Sequence, residues 1–308
     1  MLPKVSVIGA GNVGGLTAAR LVNSSIADCV LVDINKNLAL AKQFDIEDAN
    51  AILKSKSKII GTDNFSMVKD SSIVIITAGF PRKPGMTRED LLKTNSDVLK
   101  QIADKIKDML TKDTIVIAVT NPLDIMTYFL YNSLGLPREK MFGMGGTLDS
   151  GRFANLISKK IGKTSASVDA MVIGAHDNTM VPLTDKVIVE KKSIDGNGLD
   201  DVGADTIKRG ATIVSHYGTG SAYFAPSAAV YRIVEAIISN RPIQTSASVY
   251  LNGEYGLNDL CIGVPVQIKD KGIDKIIELE LNYSLKEKLN NSAANVKTNI
   301  EILKKILK

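Results

Sequence analysis

Five charged residues of this sequence could together do acid–base chemistry on a small anion: Arg82, Arg88, Asp149, Arg152 and His176. The chain has 2 histidines, so the search for a proton carrier is short. His176 sits in Gly174-Ala175-His176-Asp177-Asn178-Thr179-Met180-Val181-Pro182, directly after an apolar run that reads as a buried strand. His216 lies on a helical stretch among polar neighbours and reads as a structural or surface residue. Asp149 and Arg152 are spaced i, i+3 and so share one helix face. If that face meets His176, Asp149 can accept the ring proton, which fixes the tautomer and favours the protonated form. Arg152 would then offer its planar fork to a carboxylate. Taken alone, the same pair reads as a helix-surface ion pair. Arg82 and Arg88 flank Lys83-Pro84-Gly85-Met86-Thr87, a loop at the carboxyl end of a strand, where ligands bind in open α/β sheets and where a lid would close. One arginine can clamp a second carboxylate while the other polarises a carbonyl; solvated loop arginines are the plainer alternative. Asn121-Pro122 ends the strand after the lid helix, with Asn121 able to bond a substrate oxygen or a cofactor and the Pro bond a cis candidate. A small dicarboxylate is the ligand that such a set would hold.

Those residues need a scaffold, and the hydrophobic pattern supplies one. Apolar runs at residues 4–9, 29–32, 58–60, 72–77 and 115–119 read as strands, with helices over 37–54 and from the end of the 80–87 loop to about Leu110. Runs such as Ile73-Val74-Ile75-Ile76 are continuous rather than alternating, which marks parallel strands covered on both faces. The alternation predicts an α/β fold, a Rossmann-type doubly wound parallel sheet. After about residue 143 the rhythm changes. A helix over 149–161, a strand over 169–173, helices near 200–215 and 226–239, antiparallel strands around 249–251 and 262–266, and a lysine-rich amphipathic helix from about Ser284 predict an α+β catalytic domain. The expected division is residues 1–143 for the dinucleotide half and 144–308 for the catalytic half.

The first strand ends in Gly9-Ala10-Gly11-Asn12-Val13-Gly14. G-x-G-x-x-G is a weak signal alone, but here a strand precedes it, a helix follows, and Asp33 ends the next strand. Gly9 permits the tight turn, Gly11 lets the backbone approach a pyrophosphate, and Gly14 lets helix and strand pack closely. A carboxylate at Asp33 can accept hydrogen bonds from ribose hydroxyls and would repel a 2′-phosphate, so NAD is expected rather than NADP. Thr77, Ala78 and Gly79 should pass beneath the cofactor. Asn12, Val13, Asn95, Val119 and Asn121 complete the expected contacts.

Bulk properties narrow the alternatives. The 308 residues carry a net charge of +5 without long basic clusters, which argues against nucleic acid as a partner. The 2 cysteines, Cys29 and Cys261, lie in apolar runs and read as buried thiols, so neither a disulfide framework nor a CxxC metal pattern is expected. No apolar stretch reaches the roughly 18 residues of a membrane span. The chain begins on a strand pattern rather than a signal peptide, and a cytoplasmic location is expected.

Taken together, GAGNVG, GFPRKPGMTREDLL, TNPLD, LDSGRF, HDNTMVPL, GTGSAYFAP and SVYLNGEYG resemble the malate dehydrogenases of the lactate dehydrogenase-like branch, over almost the whole chain. The resemblance implies reversible oxidation of (S)-malate to oxaloacetate with NAD, and a homo-oligomer, a tetramer first and a dimer as the alternative. It implies His176 as acid/base, Asp149 as its orienting partner, Arg152 on the first carboxylate, Arg88 as carbonyl polariser and Asn121 as a substrate and cofactor contact. Arg82 stands where lactate dehydrogenases usually have glutamine, and Ser221 is implied near the nicotinamide. The chain departs from the family's His-Gly-Asp pattern with His176-Asp177-Asn178. An extra carboxylate there is expected to favour protonated His176 or to repel substrate. A lactate or other 2-hydroxyacid dehydrogenase, and an NAD-binding sensor without turnover, are the competing readings.

Overall fold

A computed structural model describes residues 2–81, 85–196 and 198–307. Arg82, on which the expected substrate selection rests, therefore lies outside the described residues. Six parallel strands form the centre of the fold: β1 (Lys4–Ile8), β2 (Asp28–Val32), β3 (Ile59–Thr62), β4 (Ile73–Ile76), β5 (Ile115–Ala118) and β6 (Met141–Gly143). Their spatial order is β3-β2-β1-β4-β5-β6. Four helices run between them: α1 (Asn12–Asn23), α2 (Lys36–Leu53), α3 (Arg88–Ile106) and α4 (Leu123–Leu134). All four residues of β4 and of β5 are buried, as the continuous apolar runs require. Burying one such isoleucine contributes about 1.5–3 kcal/mol.

The order reverses between β1 and β4, so the crevice at their carboxyl ends is the place for a ligand. Both loops that open there were legible in the sequence, the glycine turn after β1 and Thr77-Ala78-Gly79 after β4.

The second half contributes α5 (Gly146–Ile161), five two-residue strands β7 (Val168–Asp169), β8 (Val172–Ile173), β9 (Val181–Pro182), β10 (Ile188–Val189) and β11 (Lys192–Ser193), then α6 (Asp200–Tyr217), α7 (Phe224–Ile238), β12 (Ile243–Asn252), β13 (Asn258–Lys269), β14 (Gly272–Ile276) and α8 (Tyr283–Ile306). Strands β12 to β14 are antiparallel, as expected for β12 and β13, but they do not form a sheet of their own. Ser248 of β12 pairs with Gly143 of β6, so a single sheet of nine strands runs through both halves. A smaller core, with Phe153 and Ile157 of α5 against Val168, Val172, Val187 and Leu199, sits beneath the short strands.

Two expectations need correction, and three elements were not read. The single strand expected over 169–173 is two: β7 pairs with β10, β8 with β9, and the chain changes sheets between them. Helix α4 and strands β6 and β14 carried no signal that the pattern could separate. In α4 every residue from Leu123 to Leu130 is buried, so the helix has no polar stripe and no readable period. Helix α5 starts at Gly146 rather than 149; Gly146 packs closely against Ser246 of β12, where a Cβ would not fit.

Candidate active site

The glycine turn is built as its residue types demand. Gly9 has φ +108°, and a Cβ on Gly14 would stand 1.8 Å from the Gly9 carbonyl oxygen. Thr77 locks the turn by donating to the carbonyls of Ile8 and Gly9 at 3.2 and 3.0 Å. Gly11 faces open space, with nothing within 4 Å of a would-be Cβ. Gly11 is also the N-cap of α1, and it provides no side-chain cap. Helices α2, α3 and α8 are capped by Asn35, Thr87 and Asn282. The first N–H groups of α1 are thus left for a phosphate.

Two adjoining cavities share Gly11, Thr77, Gly79 and Phe80 and make one cleft. The first, of about 430 Å³, is lined by Asn12, Val13, Gly14, Val119, Asn121, His176 and Ser221 among others. The second, of about 300 Å³, holds Asp33 and Ala78 beside the apolar Ile8, Val32, Ile34, Phe65 and Ile102. Asp33 Oδ2 accepts from the Ala10 N–H at 2.6 Å and Oδ1 from the Asn35 N–H at 2.8 Å. Each oxygen keeps a lone pair for a ribose hydroxyl. The residues present fit a dinucleotide: a cradle that a Cβ would fill, free helix N–H groups, and an acid at the apolar end. Asn95 lies in neither cavity wall. It is fully buried, takes the Phe80 N–H, and donates to the carbonyls of Phe80 and Asn121. It supports the two loops from behind.

At the other end of the cleft the expected triad is assembled. His176 Nδ1 lies 2.5 Å from Asp149 Oδ2, and Asp149 Oδ1 accepts from Arg152 Nη1 at 3.1 Å. Asp149 is 1% exposed, so this is not a surface ion pair. Arg152 Nε is buried with no hydrogen-bond partner, a donor left over for a ligand. Asn121 joins Pro122 through a cis bond and faces the same cavity as His176. Burial by itself would lower the pKa of His176. The carboxylates of Asp149 and Asp124 more than offset it, against Arg152, and leave the ring easier to protonate than a free histidine.

The structure does not bring Arg88 to this group. It opens α3, is exposed, and its Nη1 lies 3.5 Å from Asn295 Oδ1 on α8. The lid residues described here, Gly85 to Thr87, lead into a capping box in which Thr87 and Asp90 satisfy each other's N–H groups. His216 is exposed on α6, as expected.

Asp177 behaves differently from the expectation. Its Oδ1 accepts from the Thr179 N–H and hydroxyl at 2.7 and 2.6 Å, and Oδ2 from Asn295 Nδ2 at 2.7 Å. Those three donors turn the carboxylate into the loop and toward α8. Neither Asp177 nor Asn178 needs a left-handed backbone, since both keep negative φ.

Sequence reasoning missed one residue, Asp124. It is 3% exposed and accepts the His176 backbone N–H at 2.7 Å and the Ser248 hydroxyl at 2.6 Å. Burial pushes its carboxyl up to about 6, against the two hydrogen bonds and the charge of His176, with Asp177 adding to the rise. The helix that carries it has no readable period, and this concealed the acid.

Comparisons with known proteins agree with this geometry. The lactate/malate dehydrogenase NAD binding domain matches residues 3–143, and the lactate/malate dehydrogenase alpha/beta C-terminal domain matches residues 146–306. A malate dehydrogenase of Trichormus variabilis is 43% identical, covering 97% of this chain and 94% of the relative. One of Methanosarcina barkeri is 42% identical over 98% of this chain and 99% of the relative. Among solved structures, the malate dehydrogenase of Cryptosporidium parvum aligns with a TM-score of 0.94 at 33% identity, covering 99% of this chain and 100% of that one. The lactate dehydrogenase of the same organism, solved with lactic acid and β-nicotinamide adenine dinucleotide, also gives 0.94 at 33%, covering 99% of this chain and 98% of that one. A nucleotide cleft at the sheet's switch point, a buried Asp–His pair with an arginine beside it, and both family models over nearly all of the chain lead to one assignment: the chain belongs to the lactate/malate dehydrogenase family.

Proposed function

We propose that this protein catalyses the reversible oxidation of (S)-malate to oxaloacetate with NAD. The observation that carries the chemistry is His176 held 2.5 Å from buried Asp149, with Arg152 on the other carboxylate oxygen, at the end of the dinucleotide cleft. Curated relatives at 41–43% identity that bear the name malate dehydrogenase support the choice of substrate. The fold does not separate malate from lactate enzymes, since one of each aligns equally well. Arg82 in the sequence favours the dicarboxylate.

NAD supplies the hydride acceptor. Neutral His176 takes the hydroxyl proton of malate at its free Nε2, and protonated His176 returns it in reduction. Asp149 fixes the tautomer and stabilises the imidazolium. Arg152 binds the carboxylate next to the reacting carbon, with its unpartnered Nε among the donors. Arg88 leaves Asn295 when the lid closes and polarises the carbonyl; Arg82 clamps the far carboxylate. Exclusion of water by closure strengthens these charge interactions. Asn121 orients the substrate oxygen.

The division of labour we propose is 1–143 for cofactor and 144–308 for catalysis. The assembly is a homo-oligomer, a tetramer with a dimer as the alternative, in the cytoplasm. Exposed Phe44, Ile52 and Leu53 on α2 and Val214 and Tyr217 on α6 support association, and light scattering tests it. Among the described residues, no helix is long and apolar enough to cross a membrane.

Purified protein tests the function directly. NADH should be consumed with oxaloacetate. NADH binding without turnover of any 2-oxoacid would replace this reading with a cofactor-binding protein that lacks catalysis.

A further inference from the structure

A buried carboxylate with no cation beside it is costly. Asp124 is one: among the described residues it pairs with no lysine or arginine, and its two partners are a backbone N–H and a hydroxyl. An asparagine there would make both contacts without burying a charge. The charge therefore needs another reason, and the geometry supplies it. Asp124 stands in the first turn of α4, three residues after Asn121, and holds the backbone of His176 while Asp149 holds its ring. Ser248, 1% exposed on β12, fixes the other carboxylate oxygen. One side chain thus joins the Asn121 loop, the His176 loop and the sheet.

We propose that Asp124 is a positioning residue for the acid–base step: it locks the His176 backbone to the Asn121 loop and gives the imidazolium a second buried counter-charge. This rests on the reading of His176 as the proton carrier. The charged groups facing His176 are Asp149 and Arg152 from α5 and Asp124 from α4; Asp177 of its own loop is turned away to Thr179 and Asn295. Cys261 of β13 lies near Asp124, and burial holds its thiol protonated.

The test uses the full chain, wild type beside Asp124→Asn, with NADH and oxaloacetate from pH 6 to 9. Protonated His176 is the form that reduces oxaloacetate, so kcat/KM falls as pH rises through its pKa. Asp124→Asn keeps both hydrogen bonds and removes the charge. The falling limb should move to lower pH by roughly half a unit or more. At pH 8 kcat/KM should drop about threefold or more, with NADH affinity within about twofold of wild type. The chain has 2 histidines, so the His176 ring can also be titrated by NMR, with His216→Gln assigning the other signal. Its midpoint should move down in the same direction. Ser248→Ala, which removes one support of the Asp124 anion and leaves the His176 contact, should give a smaller shift of the same sign. It decides the matter if Asp124→Asn does not fold. An unchanged midpoint in the folded variant, by kinetics and NMR, would overturn the proposal. A wild type that binds NADH but turns over no oxaloacetate would instead overturn the underlying function, while the NMR titration still reads Asp124.

Discussion

Replacing Asp124 by asparagine should make the protein more stable at neutral pH even as it damages catalysis. Folding raises the Asp124 carboxyl from 3.8 to about 6. A raised pKa means that the folded state binds its proton more tightly. The stabilisation is complete below the unfolded value and is lost as pH rises through the folded one. Two units correspond to about 3 kcal/mol, so above pH 7 the ionised carboxylate weighs against folding by about that much. Asparagine removes this cost. Its Oδ1 can take the His176 N–H and its amide can donate to Ser248, but the second amide hydrogen finds no partner, which costs about 1–3 kcal/mol. His176 also loses a counter-charge, which works against the gain below its own pKa. The net expectation at pH 8 is a gain of about 1 kcal/mol, shrinking to nothing or reversing near pH 4. Urea unfolding at fixed protein concentration, at pH 4, 6 and 8, reads the difference from midpoints at constant m. A loss of stability that is the same at all three pH values would refute the reasoning. It would mean that Asp124 is a neutral packing group whose charge the folded protein never feels.

Other perturbations reach the remaining parts of the site. Leaving a buried charge unpaired costs about 3–5 kcal/mol, so oxaloacetate should be preferred over pyruvate by roughly two to four orders of magnitude. Arg82→Gln should narrow that gap in kcat/KM; an unchanged ratio would remove Arg82 as selector. NADP should bind at least about tenfold more weakly than NAD, a difference of about 1.4 kcal/mol, because Asp33 faces the ribose; comparable KM values would contradict this. Gly14→Ala should abolish NADH binding, since its Cβ would lie 1.8 Å from the Gly9 carbonyl oxygen, and tryptophan-free fluorescence titration with NADH would show it. Gly151 is an exposed position within α5 with nothing within 4 Å of a Cβ, so Gly151→Ala should raise stability by about 0.5–1 kcal/mol in urea unfolding.

Much of the site could be read from the sequence because its determinants are local. Gly9, Gly11, Gly14 and Asp33 stand between a strand, a helix and a second strand whose patterns are continuous and apolar. Asp149 and Arg152 show their shared face by spacing alone. What spacing could not show was which other element each side chain meets. Asp124 carries no signal until α4 is packed against the His176 loop, and α4 was itself hidden because burial of every residue from Leu123 to Leu130 erases its period. Asp177 looked like a charge beside the ring, but Thr179 and Asn295 draw it away, and Asn295 lies more than 100 residues later on α8. Asn95 sits one side chain behind the cleft for the same reason: its partners are Phe80 and Asn121, brought together only by the sheet. The division into two halves followed the change of rhythm near residue 143, yet the sheet crosses that point through the pairing of Gly143 with Ser248.

The most direct test of the central claim is the rate of NADH oxidation by the purified protein with oxaloacetate and with pyruvate, side by side, from pH 6 to 9. Rapid turnover of oxaloacetate, with pyruvate slower by at least about a hundredfold and a rate that falls as His176 loses its proton, is the predicted result. Equal rates with the two acids, or turnover of neither despite NADH binding, would contradict it.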